Sequence, residues 1–257
     1  MTDNVYLLEP DGDAGLAEAA EAVRAGKCIV LPTDTVYGIG ADAFDGDAVQ
    51  ALLDAKERGR DMPPPVLVAE PLMLRAVADE VPEAAAALAK AFWPGALTLI
   101  LRAQPKAGMQ LGETGGTVAV RVPDHDGARA LLRRTGPLAV SSANVHGEAP
   151  ALTCQDAVGQ LGDKVAVYLD AGPAAGGVAS TIVDFAAFPE GRIVRVGALS
   201  LEQLREVAPD VIGMPDPDTE PELAPTPEIL DRVERPADPE PAEDDEPTVK
   251  VEDEPGT

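Results

Sequence analysis

Hydroxyl, carboxylate and cationic side chains follow several short apolar runs of this sequence, at points where strands are expected to end. The first such segment, 32–40, reads Pro-Thr-Asp-Thr-Val-Tyr-Gly-Ile-Gly and contains the hydroxyls of Thr33 and Thr35 and the phenol of Tyr37. Open α/β sheets bind ligands at strand ends, and the two glycines would let the backbone approach a ligand closely. The alternative is a polar turn in which Thr33 and Asp34 hydrogen-bond the local backbone.

A second segment concentrates positive charge in an otherwise acidic chain. Lys56, Arg58 and Arg60 lie within five residues at the predicted end of a helix, and three consecutive prolines follow at 63–65. Cations at a helix C-terminus are favoured by the helix dipole, which would explain them without any ligand. Their rarity elsewhere supports the other interpretation, a stiff basic loop that binds an anion.

The run from Thr117 to Val122 predicts a strand with an arginine on one face. Alternation places Thr117, Ala119 and Arg121 on the same side of that strand. An arginine that projects among small residues can hold a carboxylate through two parallel hydrogen bonds. The alternative is an edge-strand arginine in solvent.

Two more predicted strand ends carry small polar groups. Ser141-Ser142-Ala143-Asn144 follows a short apolar run and suits phosphate or ribose contacts, or else caps the next helix. Ser180 opens a later strand and Arg195 closes the next. Together these positions predict a cleft of hydroxyls and cations that suits phosphates, since phosphoryl chemistry depends mostly on positioning and charge stabilisation. Neither GxxxxGK[ST] nor GxGxxG occurs, and His125 and His146 are expected on the surface.

The elements that must position these residues alternate along the chain. Eight apolar runs predict strands: 28–31, 66–68, 97–101, 117–122, 138–140, 165–169, 181–185 and 192–196. Six periodic stretches predict helices: 16–25, 47–55, 83–91, 127–134, 153–161 and 200–208. This alternation is typical of an α/β domain with one large twisted sheet.

Charge and composition divide the 257 residues into two parts. Of the net charge of −25, −14 falls on 208–257, which also holds eleven of the 25 prolines and no Phe, Tyr or Trp. Such a segment cannot bury enough apolar surface to offset the entropy of ordering it. We therefore predict a folded domain over 1–207 and a disordered, acidic, proline-rich tail over 208–257, either solvated or used for docking.

Cysteine usage and hydropathy narrow the class of protein. Cys28 and Cys154 are the only cysteines, too few for a disulfide framework and without zinc-site spacing. No apolar run reaches the ~20 residues needed to span a membrane, and no signal peptide is evident. The expectation is a cytoplasmic protein with no membrane partner.

The motifs, taken in order, resemble those of the YrdC-like threonylcarbamoyl-AMP synthases. The resemblance runs from about Val5 to Ala198 and rests on Pro-Thr-Asp-Thr-Val-Tyr-Gly-Ile-Gly, Lys-x-Arg, Trp-Pro-Gly-Ala-Leu-Thr, Val-Arg-Val-Pro, Ser-Ala-Asn and Ser-Thr-Ile-Val-Asp. It implies a single α/β domain with a large open twisted mixed sheet, flanked by helices around a concave cleft. It also implies that ATP, L-threonine and bicarbonate, with Mg²⁺, become threonylcarbamoyl-AMP and diphosphate, for a transferase complex that modifies a tRNA adenosine beside the anticodon.

The same resemblance assigns roles to thirteen residues. Lys56 and Arg58 would be catalytic and hold the ATP phosphates. The implied ATP-binding set is Lys56, Arg58, Thr117, Ser142, Asn144 and Arg195. The implied threonine-binding set is Thr33, Thr35, Tyr37, Arg121, Val140, Ser141 and Ser180.

The loop after Lys-x-Arg departs from the family pattern, and other functions stay open. Gly59 replaces the usual proline, Pro64 stands where a second lysine is usual, and Arg60 is a candidate substitute for that charge. An RNA-binding module is one alternative, although the charge of −11 on 1–207 disfavours it outside a patch at 56–60 and 133–134. A carbamoyl-transfer domain, or a relative that kept the fold and lost the activity, are the others.

Overall fold

Ten strands of this chain lie in one sheet, according to a computed structural model that describes residues 4–8 and 13–214. The strands are β1 (Val5–Leu7), β2 (Ile29–Leu31), β3 (Gly38–Asp42), β4 (Val66–Leu67), β5 (Leu97–Arg102), β6 (Thr117–Arg121), β7 (Leu138–Ser142), β8 (Val167–Asp170), β9 (Thr181–Asp184) and β10 (Arg192–Arg195). The helices are α1 (Asp13–Arg24), α2 (Gly46–Ala55), α3 (Leu74–Val77), α4 (Glu83–Phe92), α5 (Asp126–Thr135), α6 (Cys154–Leu161) and α7 (Leu201–Arg205).

The sheet is mixed, with the order β1-β8-β2-β3-β7-β4-β6-β5-β9-β10. Strands β1, β8 and β2 pair in parallel, as do β4 with β6 and β5 with β9. The other neighbours are antiparallel. The predicted α/β class with a large open mixed sheet is confirmed.

Two apolar layers cover the two faces of the sheet. Val30 and Leu31, adjacent on β2, belong to different layers because successive strand residues point to opposite faces. One layer packs α1 and α5 against the sheet, and the other packs α2, α4 and α6. Local signals fix the helix ends: Asp45 caps α2, and Thr153 and Asp156 form a capping box on α6.

Strand β3 was not predicted, and it places the first motif inside the sheet. It pairs antiparallel with β2 and β7, so the motif turns back at Thr35 and Val36. A Cβ on Gly38 would lie 2.6 Å from Cγ1 of Val140, and one on Gly40 would lie 3.3 Å from Cδ2 of Leu31. These glycines therefore let β3 pack against neighbouring side chains, and Gly38 also lines the cleft. Strand β1 was also missed.

The described chain stays packed beyond residue 207. Ala208 and Val211 are buried in the core, and Ile212 exchanges two backbone hydrogen bonds with residues at the start of β10. Residues 208–214, assigned to the tail by composition, pack because Ala208 and Val211 fill the core and Ile212 pairs with the start of β10. The rest of the predicted tail, 215–257, lies outside the described residues. No helix among the residues described is long and apolar enough to cross a membrane.

Candidate active site

A cleft with a volume of about 300 Å³ opens on one face of the sheet. Its floor comes from neighbouring positions on β5, β6 and β9, and its rim from the ends of β2 and β7. Ten of the thirteen predicted site residues line it: Thr33, Thr35, Tyr37, Arg58, Arg121, Val140, Ser141, Ser142, Ser180 and Arg195. Segments more than 150 residues apart in sequence therefore converge as the motifs predicted.

The first motif forms a chain of hydrogen bonds that ends at Arg121. The Thr33 hydroxyl donates to the carbonyl of Val36 (2.6 Å) and accepts from the backbone N–H of Thr35. Because the proton of Thr33 is engaged, the Thr35 hydroxyl donates to Thr33 Oγ1 (3.0 Å) and accepts from Nη1 of Arg121 (2.8 Å). Thr35 thus offers the cleft a lone pair and no proton, which suits a ligand N–H.

Arg121 is held on three sides and is buried. Its Nε donates to the carbonyl of Gly95 (3.0 Å), and its Nη2 forms an ion pair with Oδ1 of Asp34 (2.6 Å). Burial lowers the pKa of Arg121, while the Asp34 carboxylate raises it again. The sequence did not assign Asp34; its place beside two site threonines was the available signal.

Two further arginines face the cleft without a carboxylate partner among residues 4–8 and 13–214. Arg58 donates from Nη1 to the Ser141 hydroxyl (3.3 Å), and its Nε is buried without a hydrogen-bond partner. Arg195 donates to the carbonyl and the hydroxyl of Ser180 (both 2.9 Å from Nη2). Burial, then the charges of Arg121 and Arg58, lower the pKa of Arg195. Three guanidinium groups with one carboxylate make the cleft an anion site.

Lys56 does not line the cleft. Its side chain is 2% exposed, and Nζ donates to the backbone carbonyls of Ser142 (2.5 Å) and Asn144 (2.6 Å). Burial, together with the charge of Arg58, lowers the pKa of Lys56 to about 8. The ammonium thus fastens the end of α2 to the turn after β7 from behind the cleft wall.

Two other predicted contacts also lie off the cleft. Thr117 lines a separate hollow with Arg60 and Gly112, and its hydroxyl donates to the carbonyl of Thr114 (2.8 Å). Asn144 donates from Nδ2 to the carbonyls of Val145 (2.8 Å) and Glu148 (2.9 Å), which ties the turn after β7.

Tyr37 and His125 have structural contacts that the sequence did not reveal. The Tyr37 phenol is buried and donates to the carbonyl of Gly172 (2.6 Å), so it fixes the turn after β8. His125 is half-buried, and its Nδ1 accepts from the N–H of Ala128 at the start of α5. The surface expectation for His125 was wrong because the ring caps this helix, whereas His146 is exposed.

The cleft also contains residues that sequence reasoning missed. Thr98 on β5 shares a hydrogen bond with the hydroxyl of Ser180 (2.8 Å). Apolar side chains cover the floor and one wall: Pro63, Pro65, Leu67, Ile100, Ala119 and Ile182. For Leu67, Ile100, Ala119 and Ile182 the signal was alternation along the predicted strands, which marks a face without saying what covers it.

Mg²⁺ prefers several carboxylate, carbonyl and water oxygens in octahedral geometry. Within the part of the chain that the structure describes, no cluster of three or more His, Cys, Asp or Glu could hold a metal ion. Asp34 already accepts from Arg121 and from the N–H of Asp124. The described residues do not build a Mg²⁺ site of their own.

Known proteins share this fold and these motifs. Residues 21–197 match the Sua5–YciO–YrdC family, which carries the description "Telomere recombination". A Mycobacterium tuberculosis relative, provisionally named a threonylcarbamoyl-AMP synthase, is 48% identical over 80% of this chain and 95% of its own length. The Bacillus subtilis threonylcarbamoyl-AMP synthase is 38% identical over 80% of this chain and 59% of its own length.

A solved structure shares the architecture. The Pyrococcus abyssi Sua5 protein complexed with L-threonine superposes with a TM-score of 0.75 and 33% identity, over 82% of this chain and 62% of that one. The family match over residues 21–197 includes every strand that contributes to the cleft. The chain therefore belongs to the Sua5–YciO–YrdC family.

Proposed function

We propose that this protein is a threonylcarbamoyl-AMP synthase, which forms L-threonylcarbamoyl-AMP and diphosphate from ATP, L-threonine and bicarbonate. One observation carries the proposal: Arg58, Arg121 and Arg195 converge with threonine and serine hydroxyls on one cleft. A buried N–H of Arg58 without an acceptor there is a further reason to expect an anion. The names of the relatives and the L-threonine in the Pyrococcus protein support the choice of reaction.

The proposed chemistry needs positioned charge rather than an acid–base histidine. Bicarbonate and the amino group of threonine combine to a carbamate with loss of water. A carbamate oxygen then bonds to the α-phosphorus of ATP, while the bond from that phosphorus to the bridging oxygen of the β-phosphate breaks and diphosphate leaves. Negative charge builds on the phosphate oxygens during this step, which fixed guanidinium groups stabilise.

Within this proposal the cleft has an amino-acid end and a phosphate end. Arg121 holds the threonine carboxylate and Thr35 accepts from its nitrogen, whereas Arg58, Arg195 and Ser142 contact the phosphates. Lys56 supports the phosphate end through the turn it holds. Mg²⁺ would arrive on the ATP phosphates, and no residue of the cleft is assigned to it.

Downstream, we propose that a separate tRNA-modifying transferase complex consumes the product. The adenylate is an activated mixed anhydride, so a second enzyme must transfer its acyl group before water hydrolyses it.

Direct RNA binding is the second candidate function, and the structure offers little unpaired basic surface for it. Arg133 pairs with Glu70 and Arg134 with Asp13, so this candidate patch is largely neutralised.

The proposal is tested by threonine-dependent release of diphosphate from ATP in the presence of bicarbonate and Mg²⁺. We expect release from the unaltered chain and a loss of about 100-fold or more in kcat/KM for threonine in Arg121→Lys, since lysine cannot reproduce a bidentate fork. Arg24→Lys, an exposed arginine on α1, is the matched control. A folded chain that releases no diphosphate would refute the proposal.

A further inference from the structure

Asp34 lies behind Arg121 and outside the cleft lining. We propose that Asp34 is a positioning residue: it fixes the guanidinium of Arg121 so that the remaining N–H groups meet the carboxylate of the amino-acid substrate. The inference rests on the proposed function for the identity of that substrate. Its geometric part concerns Arg121 and Asp34 alone.

Arg121 has N–H groups that its protein partners leave available. A guanidinium carries five N–H groups, and three of those on Arg121 are engaged, with Gly95, Thr35 and Asp34. Two N–H groups, one on each terminal nitrogen, are left for a ligand. A carboxylate has two oxygens and can accept both, which is the strong bidentate arrangement.

Asp34 is the charged acceptor among the groups that hold the Arg121 guanidinium. Gly95 and Thr35 offer neutral acceptors, whereas Asp34 is the only charged one, at 2.6 Å. Oδ1 of Asp34 also accepts from the N–H of Asp124, three residues after the end of β6 (3.0 Å). The carboxylate thus joins the first motif to the strand that carries Arg121, and both side chains of the pair are largely buried (8% and 16% exposed).

A second guanidinium, that of Arg195, lies near the pair. Burial and then the charge of Arg121 lower the pKa of Arg195, so the two guanidinium groups lie close enough to repel each other. Burial lowers the pKa of Arg121 and of His125, and the charge of Asp34 opposes both shifts. The negative charge of Asp34 therefore offsets the repulsion between the guanidinium groups of Arg121 and Arg195. Without it, Arg121 would turn away from Arg195 or toward water, and its two remaining N–H groups would no longer be held for a carboxylate.

The test compares Asp34→Asn with the unaltered full-length chain in the diphosphate-release assay. Asparagine keeps the shape and removes the charge. Because a charged hydrogen bond contributes about 1.5–3 kcal/mol, we expect the KM for threonine to rise about 10-fold or more. The KM for ATP should stay within two-fold of the unaltered chain. The matched control is Asp42→Asn, at the far end of β3, whose carboxylate accepts from the N–H of Phe44.

Three outcomes would overturn the positioning role. One is an unchanged KM for threonine in a folded Asp34→Asn. Another is an equal rise of both KM values, which a general loosening of the domain would produce. The third is a lower KM for threonine, which would mean that Asp34 only weakens the positive charge of Arg121. A Michaelis constant does not depend on the fraction of folded enzyme. Asp34→Glu keeps the charge, so its KM for threonine should lie between that of the unaltered chain and that of Asp34→Asn.

A second readout separates this inference from the proposed function. In protein labelled with ¹⁵N at arginine Nε, the Arg121 Nε–H should exchange slowly with water, because it is buried against the carbonyl of Gly95. We expect this exchange to accelerate in Asp34→Asn and to stay slow in Asp42→Asn. An inactive chain that shows this change would refute the synthase function and leave the positioning role standing, and an unchanged Nε–H would refute the positioning role.

Discussion

At the scale of single residues, the side chains that line the cleft are held in place by buried side chains that do not line it. Arg58, Arg121 and Arg195 face the cavity, while Lys56 and Asp34 hold the backbone and side chains behind its wall. Replacing a supporting residue should disturb one end of the cleft only, since each is tied to a different segment.

Lys56 provides the first prediction at this scale. Lys56→Met should lower kcat/KM for ATP about 100-fold, because two buried carbonyls at the phosphate end lose their donor and the cleft loses a nearby charge. Lys56→Arg keeps the charge and should lose less. Diphosphate release at varied ATP measures both, and Lys27→Met, outside the cleft, is the control. Equal activity of Lys56→Met and the unaltered chain would contradict the assigned role.

The lowered pKa of Lys56 gives a second prediction. With the pKa at about 8, Lys56 is charged below pH 8 and neutral above it, whereas in the unfolded chain it stays charged to about 10.4. The ammonium contacts are therefore present at low pH and lost as pH rises through about 8. We expect kcat/KM for ATP to fall over that range, and Lys56→Arg to move the fall to higher pH. A profile that is identical in both proteins would exclude Lys56 as the titrating group.

Residue types predicted the character of the cleft better than the place of each side chain. Hydroxyls and arginines at strand ends were correctly expected to converge, because the ends of neighbouring strands meet at one edge of the sheet. Burial is decided by distant packing, which spacing does not encode. For that reason Lys56, Thr117 and Asn144 were expected in the lining and lie outside it, and Asp34 was left unassigned.

At the scale of elements, β3 is a strand that the sequence pattern did not predict. Its sequence Gly-Ile-Gly-Ala-Asp has one β-branched residue and two glycines, which is atypical of a strand interior. The structure needs those glycines because Val140 on β7 and Leu31 on β2 fill the space beside them. Long apolar runs such as Leu97–Arg102 had no such ambiguity, and their strands were predicted within one residue.

This packing leads to a prediction for Gly38. In Gly38→Ala the new Cβ would lie 2.6 Å from Val140, so the unfolding free energy should fall by about 1–3 kcal/mol. Gly159→Ala on the exposed face of α6, where a Cβ meets nothing within 4 Å, should instead gain about 0.5–1 kcal/mol. Urea unfolding midpoints of the two variants should move in opposite directions, and a shift in the same direction would contradict the tight contact between β3 and β7.

At the scale of the whole molecule, charge composition placed the end of the folded domain too early in the chain. Four of the seven residues in 208–214 are apolar, and among them Val211 fills the core and Ile212 pairs beside β10. Composition averages over a segment and therefore cannot detect two apolar side chains that dock at its start. The disorder predicted for 215–257 stays a prediction.

Two truncations test this boundary. A chain that ends at Val207 loses the buried Val211 and the backbone hydrogen bonds of Ile212, so its unfolding free energy should fall by about 3 kcal/mol. A chain that ends at Met214 should unfold at the same urea concentration as the full chain. Equal midpoints for both truncations would show that 208–214 contributes nothing to the fold.

The most direct test of the synthase function is the identity of the nucleotide product. The full-length protein is incubated with ATP, Mg²⁺, L-threonine and ¹³C-bicarbonate, and the nucleotides are identified by mass spectrometry. We predict an AMP adduct that carries threonine and one ¹³C atom, formed in step with diphosphate and absent when threonine is left out. A folded protein that yields no such adduct, or an AMP product without both threonine and the labelled carbon, would contradict the proposed reaction.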